Sequence, residues 1–270
     1  MERISRGRRG SVASRGVRIG DADRELLSFA AEHRFLTAGQ IARLLDVSEA
    51  AARARLKRLR TAGFLQRSRR QLSGEPVCHQ ITRDGLRTAG SDLPVPKDID
   101  LAAMRHDRGL AWLMLAARDG CFGPAARVVG ERRMRSEDGR RADGEARHGV
   151  RRGGMGPAGR ESLHYPDTVI ETPSGGRVAF ELELTTKGRD ARERILSAYG
   201  ADRTIDAVVY LVQTAAAGRA VQRSAARLGI GSLVHVQRVR LEGTPPAGTE
   251  GRSAQLRHDR AQVAEPGWSR

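Results

Sequence analysis

Residues 164–187 read HYPDTVIETPSGGRVAFELELTTK, and this stretch decides the fold of the second half of the chain. It predicts two β-strands joined by a tight Gly-Gly turn. Asp167 stands at the start of the first strand, and Glu181 and Glu183 stand on the second. Side chains along a strand alternate faces with a period of two, so Glu181 and Glu183 project from the same side. Two carboxylates on one face of a strand of Val, Ala, Phe and Leu repel each other and resist burial. A hard divalent cation offsets that cost with oxygen ligands, and Asp167 on the neighbouring strand supplies a third oxygen. The pattern predicts a Mg²⁺ site formed by Asp167, Glu181 and Glu183.

The layout resembles the PD-(D/E)xK nuclease superfamily, in which a Pro-Asp pair is followed across a hairpin by an acid-x-Lys triplet. Here the pair is Pro166-Asp167 and the acid-x part is Glu181-Leu182. The third position is Glu183 in place of Lys, as in some restriction enzymes of this fold. Lys187 lies four residues on, within reach of the cluster. The resemblance implies catalytic roles for Asp167, Glu181, Glu183 and Lys187. The alternative is a nuclease-like scaffold whose carboxylates form ion pairs with arginines.

At 270 residues the chain has room for two small domains. Its formal net charge is +16, which favours a polyanionic partner, nucleic acid first. Of 48 basic residues only Lys57, Lys97 and Lys187 are lysine. Such a bias, with abundant Ala and Gly, suggests a GC-rich coding sequence, so the location of the charge says more than its total. Two cysteines, Cys78 and Cys121, make neither a disulfide framework nor a four-ligand zinc site. No apolar run is long enough for a transmembrane helix, and no signal peptide is evident, so the expected location is cytoplasmic.

Residues 1–20 are Arg, Gly and Ser and read as a disordered basic arm. Residues 21–90 read as three helices and a hairpin. Asp23 is placed to cap the first helix, whose face carries Leu26, Leu27, Ala30 and Ala31. Thr37 and Gln40 have capping-box spacing for a second helix bearing Ile41, Leu44 and Leu45. After a turn at Asp46-Val47, Ser48 caps a third helix with the apolar stripe Ala52, Leu56 and Leu59, ended by Gly63. Two helices joined so tightly make a helix-turn-helix. Arg53, Arg55, Lys57, Arg58 and Arg60 lie on the third helix, and Arg67, Arg69 and Arg70 follow it, with no acidic residue from 53 to 70. A helix that enters the major groove of double-stranded DNA needs such a basic face. Phe64-Leu65-Gln66 and residues 77–81 predict a hairpin, with Ser73-Gly74 near its tip. The order resembles a bacterial winged helix.

Residues 91–100 contain Pro94 and Pro96 and read as a linker. Residues 101–119 predict a helix with Met104, Leu110, Leu113, Met114 and Leu115. His106 and Asp107 on it read as exposed or locally capped; the sharper alternative brings them to the carboxylates. Residues 128–132 predict a short strand ending at Glu131. Residues 136–161, rich in Gly and Arg, read as a poorly ordered insertion. A helix at 189–199, an apolar strand at 206–212, a helix near 219–228 and a strand at 232–239 follow. Beyond 241 the composition predicts a disordered tail, 242–270. The fold class is α+β or α/β: an N-terminal winged helix plus an αβββαβ core like that of restriction endonucleases over 101–241, extended by one αβ unit.

Over residues 23–240 the chain is similar to the replication-relaxation family of plasmids and integrative elements. His106, Glu131-Arg132, Asp167, the ELELTTK strand and 206–212 are the most specific points. The resemblance implies a DNA-binding role in replication, relaxation or transfer, with other replication or transfer proteins as further partners. A Mg²⁺-dependent nicking endonuclease and a dimeric winged-helix regulator stand as alternatives. A tyrosine relaxase fits poorly, because the seven histidines show no metal-binding cluster; Tyr165 reads as a strand-edge aromatic.

Overall fold

The computed structural model describes residues 17–68, 73–141, 146–155, 161–185 and 187–240. Most of the expected basic arm and all of the expected tail, 242–270, lie outside them. The described residues up to Val239 belong to one compact unit.

The N-terminal part contains α1 (Asp21–Glu32), α2 (Ala38–Leu45), α3 (Glu49–Thr61), β1 (Leu65–Arg67), β2 (His79–Ile81) and α4 (Arg83–Thr88). Gly20, not Asp23, is the N-cap of α1. Asp23 is the third helical residue, and its carboxylate reaches back to accept from the Gly20 N–H at 3.2 Å. At α2 the Gln40 side chain accepts from the Thr37 N–H at 2.9 Å, as the spacing predicts. Asp46 ends α2 in the left-handed region (φ 49°), which makes the tight turn into α3. Ser48 caps α3, accepting from Ala51 N–H at 3.2 Å. Gly63, at φ 84°, ends it. β1 and β2 pair antiparallel with Leu65 opposite Ile81. Leu36 adds a bridge to His79, so the hairpin rests on the segment before α2. Helix α4, not foreseen from the sequence, fits under β1 because Gly85 lacks a side chain: a Cβ there would stand 2.2 Å from the Phe64 carbonyl oxygen.

Next come α5 (Met104–Arg118), β3 (Arg127–Gly130), α6 (Glu131–Asp138), β4 (Val150–Met155), β5 (Glu161–His164), β6 (Thr168–Glu171), β7 (Arg177–Glu183), α7 (Arg189–Ala201), β8 (Ala207–Val212), α8 (Ala215–Arg227) and β9 (Val234–Arg238). The main sheet has the order β3-β6-β7-β8-β9. β3, β6 and β7 pair antiparallel, whereas β7, β8 and β9 run parallel. Helices α7 and α8 supply the long crossovers that parallel pairing demands. Ala179, Val208, Tyr210 and Val212 share a core with Ile195, Leu196 and Tyr199 of α7 and Val221 of α8.

Three expectations need correction. The 91–100 segment is packed, not a free spacer. Leu93 and Ile99 are buried, and Gln80 Nε2 donates to the Lys97 carbonyl at 2.9 Å. Prolines kept the segment extended, but two apolar anchors fixed it. Glu131 begins α6 and does not end a strand: Gly130 is the N-cap of α6, and the Glu131 N–H donates to the Asp167 carbonyl at 3.2 Å. The 136–161 stretch holds the end of α6 and strand β4, which pairs with β5 and buries Val150 against α7. Asp138 organises this return by accepting from the Arg147, His148 and Gly149 N–H groups.

The core under the winged helix does not stop at the predicted boundary. Ala111, Met114 and Leu115 of α5 join Leu26, Ile41, Leu56, Leu59 and Phe64 in one cluster. Helix α5 therefore serves both halves.

Candidate nucleic-acid interface and buried carboxylate site

Helical spacing sorts the basic residues of α3 into two sets. Arg53, Lys57 and Arg60 are spaced i, i+4, i+7 and share a face. Together with Arg67, Glu75 and His79 of the hairpin they line one groove. Arg53 also pairs with Glu49 at 2.5 Å. Burial first, then the charges of Arg60 and Arg67, push the His79 imidazole down to about 4, so it is neutral near pH 7. Arg55 and Arg58 turn away from this groove. Arg55 Nη1 lies 2.6 Å from Asp23 Oδ1, and Arg58 Nη2 lies 2.5 Å from the same oxygen. Burial raises the Asp23 pKa, but hydrogen bonds from Arg58, Arg55 and Gly20 outweigh it and hold the carboxyl below its ordinary value. Two of the residues assigned to DNA from sequence are thus fastened to a buried acid. Arg69 and Arg70 lie outside the described residues.

The second site lies on β7. The register Thr168↔Phe180 sets Asp167 beside Glu181 on adjacent strands. Glu181 and Glu183 are 2% and 3% exposed, on a strand whose residues 179–183 are buried on both faces. Asp167 Oδ2 accepts from the Leu182 N–H at 2.7 Å and lies 3.1 Å from His106 Nε2. His106 therefore takes the sharper of its two readings. Burial lowers its pKa, but the Asp167 hydrogen bond and charge win and leave it raised. Glu181 Oε1 lies 2.6 Å from His164 Nε2 and accepts the Tyr199 hydroxyl. Burial raises the Glu181 carboxyl; the His164 charge and hydrogen bond, with Lys187 and Tyr199, hold it below its ordinary value. Lys187 does reach back. Its N–H donates to Glu183 Oε1 at 2.8 Å, and Nζ lies 3.1 Å from Glu183 Oε2 and 4.0 Å from Glu181 Oε2. Burial lowers the Lys187 pKa, but Glu181 and Glu183 overcome it and raise it.

As arranged, these side chains spend part of their bonding capacity on one another. Among the described residues no group of three or more His, Cys, Asp or Glu side chains is gathered as a metal ion requires. The physical reason lies in the donors. Leu182 N–H and His106 use Asp167 Oδ2, His164 and Tyr199 use Glu181 Oε1, and the Lys187 ammonium lies where a cation would balance both glutamates. The burial cost that motivated the metal expectation is offset by histidine, tyrosine and lysine. The expected arginine pairs are also absent among the described ion pairs of these three carboxylates.

Sequence reasoning gave no role to His164 or Tyr199. His164 was the first residue of the decisive segment, but it ends β5 in a different sheet from β6, so strand spacing gave no signal for it. Tyr199 lies at the end of the helix expected at 189–199; only the crossover of α7 over β7 brings its hydroxyl to Glu181. Arg192, also buried, donates from Nη1 to the Lys187 carbonyl at 2.9 Å and steadies the segment that carries Lys187.

Residues 27–113 match the model of the replication-relaxation family. No curated protein matches the chain. Among solved structures, the transcriptional regulator Tm0710 from Thermotoga maritima is 19% identical, with 38% of this chain and 63% of that one covered and a TM-score of 0.24. The zinc-responsive MarR family member ZitR of Lactococcus lactis is 19% identical, covering 40% of this chain and 68% of its own, with a TM-score of 0.26. ZitR in complex with DNA is 19% identical, covering 40% and 67%, with a TM-score of 0.25. Among the described residues no helix is long and apolar enough to cross a membrane.

Proposed function

We propose that this chain binds double-stranded DNA through the groove between α3 and the β1–β2 hairpin, in the replication, relaxation or transfer of a plasmid or integrative element. One observation carries the reading: Arg53, Lys57, Arg60 and Arg67 converge on a single groove while Arg55 and Arg58 are withheld from it. A face of that kind suits phosphate contacts flanking a helix in the major groove. The match of residues 27–113 to the replication-relaxation family supports the mobile-element setting. Fluorescence anisotropy with a labelled mixed-sequence 30-bp duplex tests it. Arg53→Ala/Lys57→Ala/Arg60→Ala weakens binding, whereas Arg55→Ala does not. Equal affinity for wild type and the triple variant sinks the reading.

The order α5, β3, β6, β7, α7, β8 supports a restriction-endonuclease-like scaffold for the second half. One observation favours a second reading, a nicking endonuclease: Lys187 Nζ restores a lysine beside Glu181 despite its shifted place in sequence. Conversion of supercoiled plasmid to open circle, in Mg²⁺ or Mn²⁺, decides. Nicking by wild type and not by Glu181→Gln supports an enzyme, provided the variant stays folded. No nicking by folded, DNA-binding protein supports a scaffold.

A further inference from the structure

The DNA groove contains two carboxylates among its basic residues: Glu49, which pairs with Arg53 on its own helix, and Glu75 of the hairpin. An acid in a wall that faces phosphate opposes binding unless its charge is cancelled. One partner of Glu75 comes from outside the helix-turn-helix and the hairpin. Arg108 of α5 forms an ion pair with Glu75 through Nη1. Arg108 is 8% exposed, so its guanidinium stands behind the wall and is shielded from a bound duplex.

The backbone of the same residue is fixed as well. The Arg108 carbonyl accepts from Gln40 Nε2 at 2.9 Å, and Gln40 is fully buried at the start of α2. The strand after Glu75 is anchored from the same side: Cys78 packs with Phe35, Ile99 and Met104 in one buried cluster. Arg108 thus holds α2 through its main chain and the hairpin through its side chain. It sits between the helix that precedes α3 and the arm that faces it.

We infer that Arg108 is a positioning residue for DNA binding, which neutralises Glu75 and sets the groove wall without touching the duplex. The inference rests on the reading of this groove as the DNA site. Removing one partner of a mostly buried pair leaves the other charge less compensated, so the effect on binding should depend on Glu75.

The test is anisotropy of the full chain with the 30-bp duplex across a salt series, for wild type, Arg108→Ala, Arg108→Lys, Glu75→Gln and Arg108→Ala/Glu75→Gln. Arg108→Ala is expected to weaken binding about tenfold, with an unchanged slope of log K against log salt, because no phosphate contact is lost. The loss should shrink to about threefold or less in the Glu75→Gln background, since the repelling charge is gone. Arg108→Lys should stay within about threefold of wild type, because it keeps the charge. A merely structural role predicts the same loss with either residue at 75. That outcome overturns the inference, as do unaltered binding in Arg108→Ala and a slope reduced by about one. Should Arg108→Ala fail to fold, Arg108→Lys decides: a tenfold loss with that variant overturns the neutralising role. Failure of the underlying reading looks different, because then Lys57→Ala/Arg60→Ala also leaves binding unchanged.

Discussion

The groove at α3 and the cluster on β7 both gather charge, and they treat it in opposite ways. At the groove, Arg53, Lys57 and Arg60 lie at the surface of one helix face, and the acids nearby are few: Glu49 holds Arg53 and Glu75 is held by Arg108. On β7 the glutamates are buried, and each carboxylate finds partners inside the chain. Water screens the first set and permits an excess of one sign. The interior permits no excess, so Glu181 and Glu183 are balanced by His164, Tyr199 and Lys187. The contrast separates a surface that keeps an excess of positive charge from a site whose balance is met internally.

The harshest way to break the comparison is to remove the centre of the buried set. Glu181→Ala leaves His164 and Tyr199 facing an empty acceptor position and Lys187 with one glutamate. Loss of a partner from such a pair costs about 3–5 kcal/mol. Urea unfolding followed by circular dichroism would show it. A cost under about 1 kcal/mol, the range of an exposed ion pair, would mean that solvent reaches the cluster.

The groove should respond differently. Arg53→Ala/Lys57→Ala/Arg60→Ala should leave the unfolding midpoint nearly unchanged, because surface replacements stay within about 0.5 kcal/mol. Its loss appears in binding: each phosphate contact removed lowers the salt slope by about 0.9, so three contacts lower it by about 2.7. A triple variant that melts early and keeps the wild-type slope would reverse the assignment of the two sets.

Asp23 sharpens the comparison, since it takes Arg55 and Arg58 out of the basic face. Asp23→Asn should cost about 1–2 kcal/mol near pH 7 and leave DNA affinity close to wild type. The sign of its pH dependence follows from a folded pKa held below the ordinary one. The stability it contributes is complete above the unfolded carboxyl pKa of about 3.9 and disappears as pH falls through the lower folded value. Wild type and Asp23→Asn should therefore differ by a constant amount down to about pH 5 and converge below about pH 4. A gap that widens in acid contradicts the pairing.

How much of this was legible in the sequence depends on how local each signal is. The helix-turn-helix was readable because its determinants lie within four residues of each other: Thr37 with Gln40, Ser48 with Ala51, and Gly63 at the end of α3. The split of Arg55 and Arg58 from Arg53, Lys57 and Arg60 was implicit in helical spacing, but which face met Asp23 required the packing of α1 on α3. The β6–β7 pair was readable from alternation and the Gly-Gly turn. Of the partners of its acids, Lys187 was within reach at four residues, whereas His106 lies 61 residues from Asp167 and stood only as an alternative, and Tyr199, 18 residues from Glu181, gave no signal. The metal was inferred from a real cost, that of burying like charges, and the chain meets that cost with distant side chains. Arg108 shows the same limit, since nothing near it in sequence points to Glu75.

Tyr210 gives the smallest and most discriminating effect. It is buried on β8 beside the carboxylates, and its hydroxyl has no hydrogen-bond partner among the described residues. Burial, followed by the charges of Glu181 and Glu183, raises its pKa far above the ordinary value, so the hydroxyl stays protonated. A buried hydroxyl without a partner forgoes its hydrogen bonds to water and gains none in return. Tyr210→Phe removes that group with little change of shape, so its effect on stability should be neutral or slightly favourable, within about 0.5 kcal/mol. Tyr199→Phe is the control, because it removes a hydroxyl that does donate to Glu181 and should cost about 1.5–3 kcal/mol. The two variants differ only in whether the lost oxygen had an acceptor. If both cost the same, the Tyr210 hydroxyl also serves the cluster, and the internal balance on β7 extends one strand further.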